Sequence, residues 1–277
     1  RPARADYRFS ATAFRETTTG AYTDNRAVLP LPVAVLQAAA TPPGQPPILD
    51  PRPARIDTFF AAYDRPSRNQ FIETVGVEFV LDTPELPQTG TSAQLSGAWL
   101  RTSSRDASQL ADANRVLTGT AVPGRVPVYG GGAGFRTERF STSLRLVQRL
   151  PAVGCVLTGL VQTVWWETNQ TEPVDPLPLG YVTRQGEFVP LSPAQRQAPE
   201  NQDLRRPVAN TFTTPERLPA YWLLTLRLSK ELGAGTGLAF YANNLPNHRP
   251  RYVSPRSGAY RRLNEPLFFG AEFFVRL

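Results

Sequence analysis

The stretch EPLFFGAEFFVRL, residues 265–277, carries the two-residue repeat that decides the fold class. Every second residue counted back from Leu277 is apolar, and the residues between mix charge, glycine and aromatic rings. The apolar set is Leu277, Val275, Phe273, Ala271, Phe269 and Leu267. Alternation predicts a β-strand, because successive strand side chains point to opposite faces. Its length matches the roughly 9–11 residues of an outer-membrane β-barrel strand, although this segment alone fits a half-buried strand of a soluble sandwich equally well.

The same alternation recurs in seven further segments along the chain. They are residues 6–15, 71–82, 91–102, 137–150, 153–165, 221–231 and 236–244. A helix of period 3.6 does not produce this pattern. We therefore expect an all-β chain of about eight antiparallel strands, arranged as a transmembrane β-barrel.

The connections between these segments alternate between short and long. The short ones are residues 82–90, 150–154 and 232–235, and the long ones span about 17–69, 104–136, 168–217 and 246–264. Outer-membrane barrels have short periplasmic turns and long extracellular loops. We therefore expect the four long segments to be extracellular loops, and their proline and glycine content indicates that they bury little.

Composition removes several classes of protein. No apolar run approaches the roughly 20 residues of a transmembrane helix, so a bilayer crossing has to use a closed sheet. One cysteine, Cys155, excludes an internal disulfide, and one histidine, His248, argues against a His-based metal site or catalytic triad. The net charge is +7, but Lys230 is the only lysine and the arginines are scattered, so we expect no nucleic-acid partner.

The candidate catalytic features do not form an active site. Two carboxylate pairs, Glu167 with Glu172 and Glu200 with Asp203, lie in a predicted loop. Nothing in a loop fixes the separation between two carboxyl groups that acid–base catalysis requires, so we interpret these residues as solvated charges. The glycine-rich segment 130–134 lacks the following Lys-Ser/Thr of a phosphate-binding loop. We expect no enzyme activity, no cofactor and no metal.

Several stretches carry a family resemblance, within residues 75–102, 150–166, 218–233 and 238–277. The most specific are Tyr241-Ala242-Asn243-Asn244-Leu245, the loop 254–258 and Phe269-Gly270-Ala271-Glu272. In these the chain resembles the C-terminal part of a SusC-like TonB-dependent outer-membrane transporter. The resemblance covers most of residues 70–277, and residues 17–69 fit only as a variable external loop.

The resemblance implies a function as well as a fold. Such transporters are 22-stranded barrels plugged by an N-terminal domain. They import oligosaccharides or peptides across the outer membrane of a Gram-negative bacterium, with a SusD-like surface lipoprotein as lid and energy supplied through a TonB box. These 277 residues contain neither plug nor TonB box, and they begin at Arg1 without methionine. We therefore expect a C-terminal segment, or one piece of a split barrel, that works with the remaining strands and plug and with outer-membrane lipid.

Two alternatives remain open from the residues. The eight strands can close on themselves as a small barrel, although its narrow interior would have to hold several charged side chains. The chain can also be a structural or adhesive barrel subunit of a larger outer-membrane complex.

Candidate ligand contacts are residues in the lumen register near the extracellular rim. They are Arg139, Trp166, Tyr221 and Asn243. Each of them can instead contact a plug or the loops. We expect Trp165, the neighbour of Trp166, to face lipid as an interfacial aromatic anchor.

Overall fold

A computed structural model describes residues 7–38, 44–46, 49–117, 124–233 and 235–275. Within them the fold is all-β, with fifteen strands, two five-residue α-helices and two short 3-10 segments. Nine strands form the main sheet, and eight of these are long. The long ones are β1 (Arg8–Ala38), β2 (Leu49–Asp82), β3 (Thr91–Asp106), β6 (Phe135–Leu150), β7 (Cys155–Thr171), β11 (Tyr221–Gly233), β12 (Thr236–Asn243) and β15 (Phe268–Val275).

The main sheet is an antiparallel meander in which strands that follow one another along the chain pair side by side. Its order is β1-β2-β3-β6-β7-β11-β12-β15. Each strand contains most of one of the eight predicted segments, so the expectation of an antiparallel all-β fold is confirmed. Residues 6, 276 and 277 of the predicted first and last strands lie outside the described residues. The sheet is open, with β1 and β15 at opposite edges, so the small closed barrel is not observed.

Strand register gives the sheet one continuous apolar face. One row across it joins residues that are directly opposite each other from strand to strand. That row is Phe9, Leu81, Leu95, Leu144, Val161 and Leu224. Farther along the sheet, Leu226, Ala242 and Phe269 continue the same face. Phe9 is 66% exposed and Phe273 64%, so no second layer of the described chain covers this face.

The turns at one end of the sheet are tight. β2 and β3 are joined through an antiparallel bridge between Leu86 and Thr91. β6 and β7 are joined by the 3-10 turn Pro151–Val153, which ends at Gly154 with φ 62°, a conformation that glycine adopts without strain. All four long connections lie at the other end, as the alternation predicts. Which side of a membrane that end faces stays a prediction.

The expected loop 17–69 is wrong as a description of the backbone. β1 and β2 remain paired from Arg8 opposite Asp82 to Ala38 opposite Leu49. The part beyond the main sheet, residues 22–38 and 49–69, is a two-stranded ribbon that we call the arm. Five prolines in these strands favoured a loop in the sequence, but each strand of a ribbon has one unpaired side, where a missing N–H costs no ladder hydrogen bond.

The expectation that the long loops bury little is also wrong. Loops 104–136 and 168–217 meet in a second sheet, which we call the cap. Its strands are β4 (Gln109–Ala111), β5 (Arg125–Gly130), β8 (Gly180–Thr183) and β9 (Phe188–Pro190), and the helices α1 (Ala113–Leu117) and α2 (Pro193–Gln197) flank it. Val126 and Leu204 are fully buried there. Each loop alone has few apolar residues, and only their non-local pairing through β5 and β8 makes a core.

Loop 246–264 folds as a small hairpin, β13 (Arg251–Val253) and β14 (Tyr260–Arg262). Arg256 at its tip ties it to the main sheet. The guanidinium donates to the Thr214 carbonyl at 2.7 Å, to the Asn169 carbonyl at 2.7 Å and to Thr171 Oγ1 at 2.9 Å. The hairpin therefore lies over the ends of β7 and of β10 (Glu216–Leu218), the short strand that pairs with β7.

Candidate functional site

A concave pocket of about 440 Å³ lies on the polar face of the main sheet. Strands β2, β3, β6, β7 and β11 form its floor, and Asn264 reaches it from the loop that follows β14. The polar residues that line it include Glu78, Ser96, Arg139, Ser141, Ser143, Gln162 and Tyr221. Adjacent strands bring these side chains together because they share one face in the observed register.

Arg139, one of the predicted contacts, lies in β6 and lines this pocket. Its Nε atom is 3.9 Å from Glu167 Oε2, and its side chain is 46% exposed. An ion pair this exposed contributes little to stability. The guanidinium therefore keeps donors available to a ligand with acceptor groups.

Tyr221, the first residue of β11, also lines the pocket. Its ring packs on a cluster formed by Leu218, Tyr252 and Leu263. Tyr221 therefore contacts both the pocket and the loop that carries β13 and β14. Tyr221 has a packing role whether or not it contacts a ligand.

Asn243 lies outside this pocket. It pairs with Thr225, and Thr225 Oγ1 donates to Asn243 Oδ1 at 2.7 Å. Thr225 is four residues farther along β11 than Tyr221, so Asn243 shares the polar face but not the concavity. The next residue, Asn244, is fully buried at φ 52° and bonds His248 and Glu265, which fixes the start of the loop.

Trp166 is the one predicted contact that lies on the wrong face. A β-bulge places Phe140 opposite Trp166 and Ser141 opposite Val164, so Trp165 is an extra residue. The Trp166 ring lies 4.8 Å from that of Phe140, and Trp165 Nε1 donates to Thr142 Oγ1 at 2.9 Å. Phe140 and Thr142 belong to the apolar face. Both tryptophans therefore lie on that face, since a bulge puts two residues against one.

Sequence reasoning did not select Glu78, Gln162 or Asn264 as contacts. Glu78 and Gln162 are visible in the sequence as polar members of alternating strands. What brings them next to Arg139 is the pairing register, which alternation within one strand does not reveal. Asn264, at φ 65°, is positioned by hydrogen bonds from its amide to the carbonyls of Trp222 and His248, both at 2.9 Å.

The chemistry of this pocket suits polar recognition. It combines hydroxyls, amides, a phenol, one carboxylate and one guanidinium. Within the described ranges, no cluster of His, Cys, Asp and Glu has the makings of a metal site. Neither helix of the described residues is long and apolar enough to cross a membrane.

The fold and this surface define a class: an open antiparallel sheet with one apolar face, one polar concave face and a folded cap over one end. No protein-family model, curated protein or solved structure matches the chain. The SusC-like resemblance therefore remains a proposal that rests on the sequence stretches that carry it.

Proposed function

We propose that this chain forms part of the wall of a 22-stranded TonB-dependent outer-membrane nutrient importer of the SusC type. The observation that carries this proposal is the exposed apolar face, which runs across the eight long strands of the main sheet. In a soluble sandwich, a second layer would cover such a face. Lipid is the surrounding that suits it, while paired strands satisfy the backbone within the hydrocarbon.

The tryptophans support an interface with lipid headgroups. All four in the chain lie on the apolar face, within two adjacent rows. In one row, Trp99 and Trp166 lie on either side of Phe140. In the next row, Trp222 lies opposite Thr163, and the Trp165 side chain donates a hydrogen bond to Thr142. Such aromatic girdles mark the membrane–water interfaces of outer-membrane barrels.

The polar face then lines the lumen, and the pocket at Arg139 and Tyr221 is where an oligosaccharide or peptide is held. Asn243 offers a second contact on the same face. The open edges of β1 and β15 pair with the remaining strands of the transporter, because an unpaired edge in lipid costs several kcal/mol per unsatisfied group. A plug domain, a SusD-like lipoprotein over the cap and the TonB system complete the importer.

The arm favours a second candidate, a structural or adhesive subunit of a larger surface complex. One of its faces exposes Leu29, Leu31 and Phe59, at 54%, 48% and 40%. An isolated two-stranded ribbon is marginally stable in water, so an apolar ribbon face suits contact with another protein.

Isolation of the intact assembly from outer membranes in mild detergent separates the two candidates. An importer should bring with it a polypeptide with plug and TonB box and a surface lipoprotein. Its cells should take up a labelled oligosaccharide or peptide from a test panel, and a protonophore should stop that uptake. An assembly without a plug, whose loss leaves uptake of the whole panel unchanged, would support the structural subunit instead.

A further inference from the structure

A second cavity, of about 720 Å³, lies between the arm and the cap. The arm contributes Asn25, Tyr63 and Arg65 to its wall, and the cap contributes Val128 and Phe188. It is separate from the pocket on the polar face of the main sheet and shares no lining residue with it.

Asn25 gives this cavity an unused hydrogen-bond donor. Its side chain is only 7% exposed, and its Nδ2 atom has no hydrogen-bond partner among the described residues. Buried side-chain amides are normally paired, because an unpaired one loses its bonds to water without replacement. A ligand with an acceptor oxygen would supply the missing partner.

The charge of the wall selects the kind of acceptor. Arg65 and Arg68 line the cavity, and among the residues that the structure describes no Asp or Glu does. The Arg68 guanidinium also lies 4.8 Å from the centre of the Tyr22 ring, which is outside the cavity wall. Asp106, which does not line the cavity, accepts hydrogen bonds from the backbone N–H and hydroxyl of Ser108. Guanidinium groups bind carboxylates through charge-assisted hydrogen bonds.

The rest of the wall suits a compact, partly hydroxylated molecule. The Ser108 hydroxyl donates to Asp106 and therefore accepts from the Ser67 hydroxyl, 2.9 Å away, so both serine oxygens can accept a hydrogen bond from a ligand. Tyr63 and Phe188 line the same cavity and are 46% and 45% exposed, so flat apolar surface is also present. Small-molecule sites combine apolar walls with a few placed polar groups in this way.

We propose that the cavity between arm and cap binds a small hydroxylated carboxylate, such as an acidic sugar. Arg65 and Arg68 hold the carboxylate, Asn25 donates to an oxygen of the ligand, and the serine oxygens accept from its hydroxyls. This goes beyond the proposed importer function, since the cavity lies in the arm and cap and does not depend on which face contacts lipid.

The test compares D-glucuronate with D-glucose, which differ in one carboxylate, by titration of the purified intact assembly in detergent. The variants are Arg65→Gln and Asn25→Leu. The matched control is Arg55→Gln, because Arg55 lies on the arm outside the cavity and pairs with Asp57 at 3.0 Å. All three are compared with the unmodified protein.

Glucuronate should bind at least about tenfold more tightly than glucose, since one charge-assisted contact supplies that factor. Arg65→Gln should remove most of this preference and leave glucose affinity unchanged, and Asn25→Leu should weaken both sugars. Arg55→Gln should bind as the unmodified protein does. Absence of glucuronate binding, equal affinity for the two sugars, or equal effects of Arg65→Gln and Arg55→Gln would overturn the proposal. If Asn25→Leu does not fold, the comparison of Arg65→Gln with Arg55→Gln still tests the proposal. A negative result in this titration would not bear on the proposed membrane insertion and uptake, which are measured separately.

Discussion

Tyr129, in β5, joins the two loops that build the cap. Its hydroxyl donates to the Leu204 carbonyl at 2.8 Å, and the Arg206 guanidinium lies 4.3 Å from the centre of its ring. The side chain is 2% exposed. Burial, and then the negative charge of Asp112, raise the pKa of Tyr129 to about 12. Desolvation disfavours the phenolate, which is why the pKa rises.

This shift predicts a pH dependence for the cap. A pKa raised above its unfolded value of about 10 contributes stability that is fully present below pH 10 and is lost as pH rises toward 12. In an absorbance titration of tyrosinate, Tyr129→Phe should therefore remove a component that titrates near pH 12. Tyr260→Phe is the control, because a hydrogen bond from Arg262 lowers the pKa of Tyr260, so its component should titrate below 10. Loss of a component near pH 10 on Tyr129→Phe would show that the phenol is not buried.

The candidate site was partly predictable at this scale. Arg139 and Tyr221 could be selected from the sequence because each lies near the end of an alternating segment, in the register of its polar face. Trp166 was misassigned because one extra residue in β7 reverses the faces beyond it, and an extra residue leaves no trace in composition or period. Asn264 was missed because its position depends on a loop conformation.

At the scale of elements, four glycines of the main sheet lie directly opposite aromatic residues. The pairs are Phe14 with Gly76, Phe79 with Gly97, Tyr241 with Gly270 and Phe274 with Gly237. A Cβ on any of these glycines would collide with the facing ring. Each ring thus covers the gap that a glycine leaves in its strand.

Comparison of Gly97→Ala with Gly159→Ala tests this pairing. A Cβ at Gly97 meets the Phe79 ring and lies 3.2 Å from Thr142, whereas one at Gly159 meets only Leu226 at an ordinary 3.4 Å. Urea unfolding of the assembly in detergent should show a loss of about 1–3 kcal/mol for Gly97→Ala. Gly159→Ala should be neutral or slightly stabilising, because alanine suits a strand better than glycine. Equal losses of unfolding free energy for Gly97→Ala and Gly159→Ala would show that the facing Phe79 ring does not cause the destabilisation.

The two faces of β11 give a second prediction. Leu226 lies on the apolar face between Gly159 and Ala242, and its neighbour Thr225 lies on the polar face beside Asn243. If the apolar face is in lipid, Leu226→Arg should cost about 2–4 kcal/mol near the midplane, and Thr225→Arg should be mild. Recovery of folded assembly from the outer membrane measures this difference. Equal recovery of the two variants would reject the assignment of faces.

Strands were predictable where alternation was strong, as in β3 and β6, whose predicted and observed limits differ by a few residues. The arm was missed because prolines outweighed a weak alternation in residues 17–69. The cap was missed for another reason. Its strands are three to six residues long and become stable only by pairing between loops far apart in the chain, which local patterns do not record.

At the scale of the whole molecule, the described residues bury apolar side chains in the cap and in the cluster of Leu218, Tyr252 and Leu263, and they expose an apolar surface on one face of the main sheet. Val126, Tyr129 and Leu204 are buried in the cap, while Phe240 and Phe273 of the sheet are 54% and 64% exposed. A water-soluble domain has the reverse arrangement, since burial of apolar surface drives its folding. This inversion is the physical basis for assigning lipid to the apolar face.

Quenching of tryptophan fluorescence tests that assignment most directly, because all four tryptophans lie on the apolar face. The intact assembly would be reconstituted in vesicles of lipids brominated on the upper acyl chain, and aqueous iodide would be used in a parallel titration. We predict strong quenching by the brominated lipids and weak quenching by iodide. Full quenching by iodide with no effect of the brominated lipids would place the apolar face in water and contradict the account.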